Sequence, residues 1–234
     1  MRFFVTGDTH GTFDIGKAER FFEGREDELS KEDFLIICGD VGVCGFTAAE
    51  EAETRRILRG LPVTVLWIDG NHENFDLLGE YPVSEWNGGK VHFIYDDIIH
   101  LMRGQVFDIG GTTFFTFGGA YSIDRIHRIK GRTWFPEELP NKEEYAEGRR
   151  NLEKHGLKVD YILTHTAPAD IVDSMGYYAG SDEEDKLREY LQEVADNTEF
   201  KAWYFGHFHE DSVTEERFFC LYDDIIEAEL NDNK

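Results

Sequence analysis

Five short stretches of this chain carry side chains that bind metals or move protons: Gly7-Asp8-Thr9-His10-Gly11, Gly39-Asp40, Gly70-Asn71-His72-Glu73, Thr164-His165-Thr166 and Gly206-His207-Phe208-His209. Together they offer Asp8, His10, Asp40, Asn71, His72, His165, His207 and His209. Carboxylate oxygens, an amide oxygen and imidazoles, with no thiolate among them, suit Mn best, with Fe or Zn as alternatives; Mg and Ca sites take fewer histidines. Eight such residues are too many for one ion. They suit two divalent ions that share a bridging carboxylate, roughly 3.5–4 Å apart.

The chemistry this set suggests is phosphoester hydrolysis. Two adjacent dications clamp phosphoryl oxygens and lower the pKa of a shared water, so that hydroxide is available near neutral pH for in-line attack on phosphorus. Charge developing on the transition-state oxygens is met where it forms. The leaving alkoxide needs a proton, and imidazole is the side chain able to hold one at that pH. His72, beside a candidate ligand, is the expected donor.

These residues need elements that deliver them to one place. Phe3-Phe4-Val5-Thr6, Phe34-Leu35-Ile36-Ile37-Cys38 and residues 63–68 are apolar runs of the kind expected for strands buried on both faces. Each is followed by one of the candidate stretches. Helices are expected between them, over 14–24 and 47–59, with Thr47 and Glu50 spaced as a capping box. That alternation predicts α/β with a mostly parallel sheet, and α/β proteins place chemistry beyond the carboxyl ends of strands. From 91 to 117 the pattern changes to short β-rich runs separated by Asp-Asp, Arg-Gly and Gly-Gly, which predicts antiparallel hairpins. Strands return at 159–163 and 202–205, helices are expected at 142–155 (capped by Asn141) and 182–194, and 213–229 reads as closing antiparallel strands. With no repeat, linker or low-complexity tract, 1–234 reads as a single domain.

Composition narrows the class. The chain has 234 residues, 41% of them hydrophobic, enough for a sizeable core. Its formal net charge of -24 excludes a broad basic surface for nucleic acid, because that mode rests on Lys and Arg neutralising phosphates. A nucleotide, or a nucleic-acid end gripped by metal ions, stays compatible. The three cysteines, Cys38, Cys44 and Cys220, match no disulfide framework or Cys-zinc site and suit a reducing cytoplasm. No signal peptide is expected before Gly7-Asp8, and no run reaches the ~18 apolar residues of a membrane span. The expected partner is a small phosphoester substrate, with no membrane.

The five stretches, in this order and each after a strand, resemble those of the calcineurin-like metallophosphoesterases, over residues 7 to 209. The resemblance implies a central two-sheet β-sandwich flanked by helices, a four-layer α/β/β/α fold. It also implies roles. Asp8, His10 and His209 would hold the first ion, and Asn71, His165 and His207 the second. Asp40 would bridge them, and His72 would be the acid that binds neither ion. Members that act as Ser/Thr protein phosphatases continue the second motif into Asp-Arg-Gly; here the chain reads Gly39-Asp40-Val41-Gly42, without the Arg.

Some assignments compete. Asp8 and Asp40 also suit helix caps, though that leaves His10 unexplained. Glu73 is either a first-turn acid favoured by the helix dipole or a group that orients its neighbours. Arg125, Arg128 and Arg132, with Lys130, form a basic cluster in an acidic chain, either a solvated loop or a clamp for substrate phosphate. The leading reading is a phosphomonoesterase or phosphodiesterase. The alternatives are a phosphodiesterase or nuclease acting on nucleotides or nucleic-acid ends, and a metal-binding scaffold for protein interaction.

Overall fold

The computed structural model describes residues 1–178 and 180–228. Its elements run β1 (Phe3–Thr6), α1 (Gly16–Phe22), β2 (Phe34–Cys38), α2 (Ala48–Gly60), β3 (Thr64–Ile68), α3 (Phe75–Leu78), β4 (Val83–Trp86), β5 (Gly89–Tyr95), β6 (Ile98–Leu101), β7 (Gln105–Ile109) and β8 (Thr112–Phe117). Two 3₁₀ turns, Arg125–His127 and Pro136–Glu138, lead to α4 (Lys142–Lys154). Then follow β9 (Tyr161–Thr164), α5 (Ala169–Ser174), α6 (Asp182–Asn197), β10 (Ala202–Phe205), β11 (Ser212–Thr214), β12 (Phe218–Cys220) and β13 (Ile226–Glu227).

The strands form two sheets, ordered β13-β1-β2-β3-β6-β5-β4 and β11-β12-β10-β9-β8-β7. Period-two alternation builds the layers. Phe3, Val5, Ile36, Cys38, Leu66 and Ile68 face inward against Phe107, Phe114, Tyr161, Leu163 and Tyr204 of the other sheet. Their neighbours along the first three strands, Phe4, Leu35, Ile37, Val65 and Trp67, face outward and pack with Ala18, Phe22, Ile57 and Leu58 of α1 and α2. On the far side Phe115, Phe117, Ile162, Trp203 and Phe205 meet Leu152, Leu187 and Leu191 of α4 and α6. The order of layers is therefore α/β/β/α, as expected. The continuous apolar runs of β1, β2 and β3 follow from this, since both faces of each strand are covered. Each fully buried Phe contributes about 1.5–3 kcal/mol.

Chain pairing sorts the strands as the sequence pattern does. β1, β2, β3 and β6 are parallel, as are β8, β9, β10 and β12. The hairpins β5–β6 and β7–β8 are antiparallel. What the pattern hides is that these hairpins belong to different sheets, so the chain changes layer at Met102-Arg103-Gly104. Gly104 is needed there, because a Cβ would lie 2.8 Å from the Gly148 nitrogen of α4.

Two expectations are corrected. The closing segment does not form one antiparallel set: β11 pairs antiparallel with β12, β12 pairs parallel with β10, and β13 crosses to the first sheet beside β1. Its apolar residues read alike on either sheet, so local pattern does not assign them. Glu229, the last residue of that expected stretch, lies outside the described residues. Thr47 does cap α2, accepting from Glu50 N at 3.3 Å, but the Glu50 carboxylate returns to the Thr47 hydroxyl rather than to the backbone. The complete capping box is at Asn141 and Glu144 of α4.

Candidate active site

Five parallel strands, three in one sheet and two in the other, end at the same edge of the sandwich. The loop after β1 carries Asp8 and His10, that after β2 Asp40, and that after β3 Asn71 and His72. His165 follows β9, and His207 and His209 follow β10. Backbone bonds knit these loops together. Thr9 N and His10 N donate to Asp40 O, at 3.2 and 2.7 Å, and Gly206 N donates to His165 O at 3.0 Å. The carboxylates add cross-links of their own: Asp40 Oδ1 accepts from His72 N at 2.7 Å and Asp8 Oδ2 from His207 N at 2.8 Å.

The loops fit because glycines leave room. A Cβ on Gly39 would lie 2.1 Å from His165 Nδ1, and one on Gly70 would lie 2.0 Å from Asp40 Oδ1. Each of these two glycines thus makes room for the functional side chain of another loop. The same convergence forces unusual backbone at residues that are not glycine. His10, Asp40, His207 and His209 have φ of 39°, 50°, 71° and 53°. Such left-handed positions cost on the order of 1–3 kcal/mol each and persist where the surroundings over-determine them.

The side chains of these loops converge. Asp8, His10 and His209 bring ligand atoms within 4.8 Å of one another, and so do Asp8, Asp40 and His165. Asp40 Oδ2 lies 3.6 Å from His10 Nε2 and 3.4 Å from His165 Nε2, so it spans both groups. Asn71 Oδ1 is 3.1 Å from His165 Nε2, and the His207 ring centroid is 5.1 Å from that of His165.

Two imidazoles have their tautomers set from behind. His165 Nδ1 donates to Cys38 O at 2.7 Å, and His10 Nδ1 faces Asp14 Oδ2 at 2.8 Å. A carbonyl or carboxylate only accepts, so each ring keeps a proton on Nδ1 in either charge state and turns Nε2 toward the cluster. Burial opposes charge on both rings, yet Asp40 and Asp8 raise His165 to about 10 and His10 to about 9. Burial raises Asp8 against the pull of His165; Asp40 sits well below the usual carboxylate range, because His165 and His10 outweigh its burial. His207 is pushed down to about 3 by burial and by His165. These carboxylates therefore hold positive charge close by.

The donor chemistry fits divalent cations. Oxygen and imidazole nitrogen donors face one another, and Asp8 Oδ1 is buried yet accepts no hydrogen bond from the described residues. A buried carboxylate oxygen that accepts no hydrogen bond is costly unless a cation meets it.

The basic cluster is resolved into different roles. Arg128 Nη2 lies 2.9 Å from His72 Nε2 and its Nε 2.8 Å from Asp124. Arg125 instead pairs with Glu183 at 2.8 Å and lies over the Tyr121 ring. Arg132 is exposed. Of the three arginines, Arg128 is the one joined to the cluster among the described residues. Sequence spacing could not separate them, because the choice depends on where a loop of irregular backbone turns.

Four supporting residues carried little or no sequence signal. Asn71 Nδ2 donates to Ser122 Oγ at 3.0 Å, and that hydroxyl donates to buried Glu138 Oε2 at 2.6 Å. This fixes the Asn71 amide with its oxygen toward His165. Lys17 is buried and caps the Gly7 and Asp8 carbonyls at 3.1 and 2.8 Å. Asp14, four residues after His10, has a spacing that could have flagged it. Glu73, which had two readings, is not in the first turn of α3, whose N-cap is Asn74. Its Oε1 accepts from Val41 N at 2.9 Å, tying the third loop to the second, and burial, with Asp40 close by, raises its pKa to about 8.

Residues 1–211 match the family model described as calcineurin-like phosphoesterase. The chain belongs to that family. Family membership and the donor set support metal-dependent phosphoester hydrolysis in general terms. A search of curated proteins finds no match. Among solved structures, the chain is similar to a Staphylococcus aureus protein called "Putative 5'-Nucleotidase", solved in complex with alpha-ketoglutarate. The TM-score is 0.51 and the identity 14%, over 94% of this chain and 48% of that one. The chain thus spans about half the length of that neighbour. A phosphopantetheinyl hydrolase (PptH) from Mycobacterium tuberculosis matches with a TM-score of 0.49 and 17% identity, over 94% of this chain and 89% of the other. At these identities the likeness concerns the fold. No described helix is long and apolar enough to cross a membrane.

Proposed function

We propose that this chain is a dinuclear metal-dependent phosphoester hydrolase of small substrates, working in the cytoplasm as one domain over 1–234. The observation that supports it most is the paired cluster in which Asp40 Oδ2 spans His10 and His165 while buried Asp8 Oδ1 accepts no hydrogen bond from the described residues. Asp8, His10 and His209 would hold one ion, Asn71, His165 and His207 the other, with Asp40 between them; Mn suits the set best. When bound, the ions supply Lewis-acid activation of water and neutralise charge at phosphorus.

The chain's own residues do the rest. Arg128 offers substrate phosphate a bidentate donor beside the cluster. His72 Nε2, 4.0 Å from Asp40 Oδ2, accepts from Arg128 here, and would carry the proton for the leaving oxygen once Arg128 turns to substrate phosphate. Cys38 O and Asp14 hold the His165 and His10 rings in the orientation that aims Nε2 inward.

The test is turnover of a chromogenic phosphomonoester and a phosphodiester with Mn, Fe, Zn and Mg in turn, alongside metal analysis. Hydrolysis with Mn, together with loss of both ions in Asp40→Asn, is the expected result. No turnover of any ester with any of these metals would reject the enzyme and leave the scaffold reading.

A further inference from the structure

The cluster opens into a cavity of about 500 Å³ whose floor is His10, Asp40, His72 and His209. Its walls are of a different character. Phe13 and Phe46 stand at its rim, 81% and 38% exposed, and among the described residues neither ring packs against another. Tyr222 completes the aromatic lining and stacks on His209, with centroids 4.8 Å apart and planes at 13°. Gly11, Gly42 and Gly45 also line the cavity, so part of its wall is bare backbone.

Its charge is one-sided. No Lys or Arg lines the cavity, and the carboxylates in its wall are Asp14 and Glu50. Both carboxylates already have partners, at His10 and at the Thr47 hydroxyl. Away from the floor, where Arg128 meets His72, a leaving group bearing a second phosphate or a carboxylate would face Asp14 and Glu50 with no Lys or Arg in the wall. A flat, uncharged ring would cover exposed Phe13 and Phe46 and lie against glycine backbone. The backbone that carries the two rings is anchored. Phe13 N donates to His10 O at 3.3 Å, and Phe46 directly precedes Thr47, the cap of α2.

We infer that this cavity is the leaving-group subsite and that it selects an uncharged, ring-bearing alcohol, such as a nucleoside or an arylalkanol. The inference rests on the hydrolase reading above. In the reaction it serves, water oxygen forms a bond to phosphorus, the ester P–O bond breaks, and the departing alkoxide takes up one proton to leave as the free alcohol beside inorganic phosphate.

The experiment pairs esters that break the same kind of bond: benzyl phosphate against ethyl phosphate, and adenosine monophosphate against ribose phosphate, both esterified at the primary hydroxyl. The full Mn-loaded chain should favour the ring-bearing member by at least about tenfold in kcat/KM. Phe13→Ala combined with Phe46→Ala should shrink that ratio by about tenfold, chiefly through KM. An unchanged ratio in the double variant, or a parent preference for the ring-free esters, overturns the assignment. Calorimetry with benzylphosphonate and ethylphosphonate, which are not hydrolysed, separates this from the parent reading. A ring preference in binding that the double variant loses, with no ester hydrolysed, rejects the hydrolase and upholds the subsite. Equal binding of the two phosphonates, with esters hydrolysed, does the reverse.

Discussion

Arg128 Nη2 lies 2.9 Å from His72 Nε2. A guanidinium only donates, so His72 accepts on an unprotonated Nε2 and carries its ring proton on Nδ1. Burial depresses the His72 pKa, and Arg128 adds to that effect against the pull of Asp40. The guanidinium thus masks the very nitrogen that faces the cluster. Under the proposed function, an arriving phosphate would offer Arg128 a better, bidentate acceptor, and drawing Arg128 toward it would free Nε2 to carry a proton.

Arg128→Ala should therefore lower kcat/KM on the order of 10–100-fold, while metal content measured by atomic spectroscopy stays at the parent level. Arg128→Lys should recover only part of the loss, since an ammonium cannot make the two-pronged contact. Equal activity of Arg128→Ala and parent would remove Arg128 from the site.

His72→Ala should lower kcat by about 10²–10⁴-fold with both ions retained. Loss of an ion in this variant would instead make His72 a ligand.

Ser122 and Glu138 hold the Asn71 amide. Ser122→Ala leaves that amide free to turn its nitrogen toward His165. Metal titration should show one of two ions weakened by about 10–100-fold, the scale expected when a ligand's supporting bond is removed. If both ions bind as in the parent, the Ser122 bond does not orient Asn71.

Gly39→Ala and Gly70→Ala place a methyl within 2.1 and 2.0 Å of His165 Nδ1 and Asp40 Oδ1. Overpacking of this kind costs about 1–3 kcal/mol or more, and here it also displaces the cluster. Both variants should lose metal binding and melt earlier. Gly60→Ala is the control: nothing lies within 4 Å of its added carbon, so its melting temperature should hold or rise slightly.

His92 gives a pH signature away from the cluster. Its Nδ1 lies 3.1 Å from His100 Nδ1, and burial, with His100 beside it, lowers its pKa to about 4. Below the ordinary value of 6.5 the unfolded chain takes up a proton that folded His92 refuses. Stability is therefore full above about pH 6.5 and lost as pH falls toward 4. Denaturant melts at pH 7 and pH 5 should show this loss in the parent and a smaller one in His92→Gln. An equal pH dependence in the parent and in His92→Gln would contradict it.

Much of this protein is legible in its sequence because it is local. Apolar runs without alternation announce strands covered on both faces, and β1, β2, β3, β9 and β10 are such runs. A strand end followed by Asp-Thr-His, Gly-Asp or Asn-His places a donor at the sheet edge whatever the rest of the chain does. So the candidate ligands could be named from types and order alone. Contacts between distant segments could not. Which sheet takes β13, that Arg128 rather than Arg125 meets His72, and that Ser122 and Glu138 hold Asn71 all depend on how separated loops cross. Glycine shows the division most plainly. Gly39 and Gly70 read in the sequence only as turn residues. The folded chain shows the reason for each: His165 and Asp40, from other loops, occupy the space a side chain would fill.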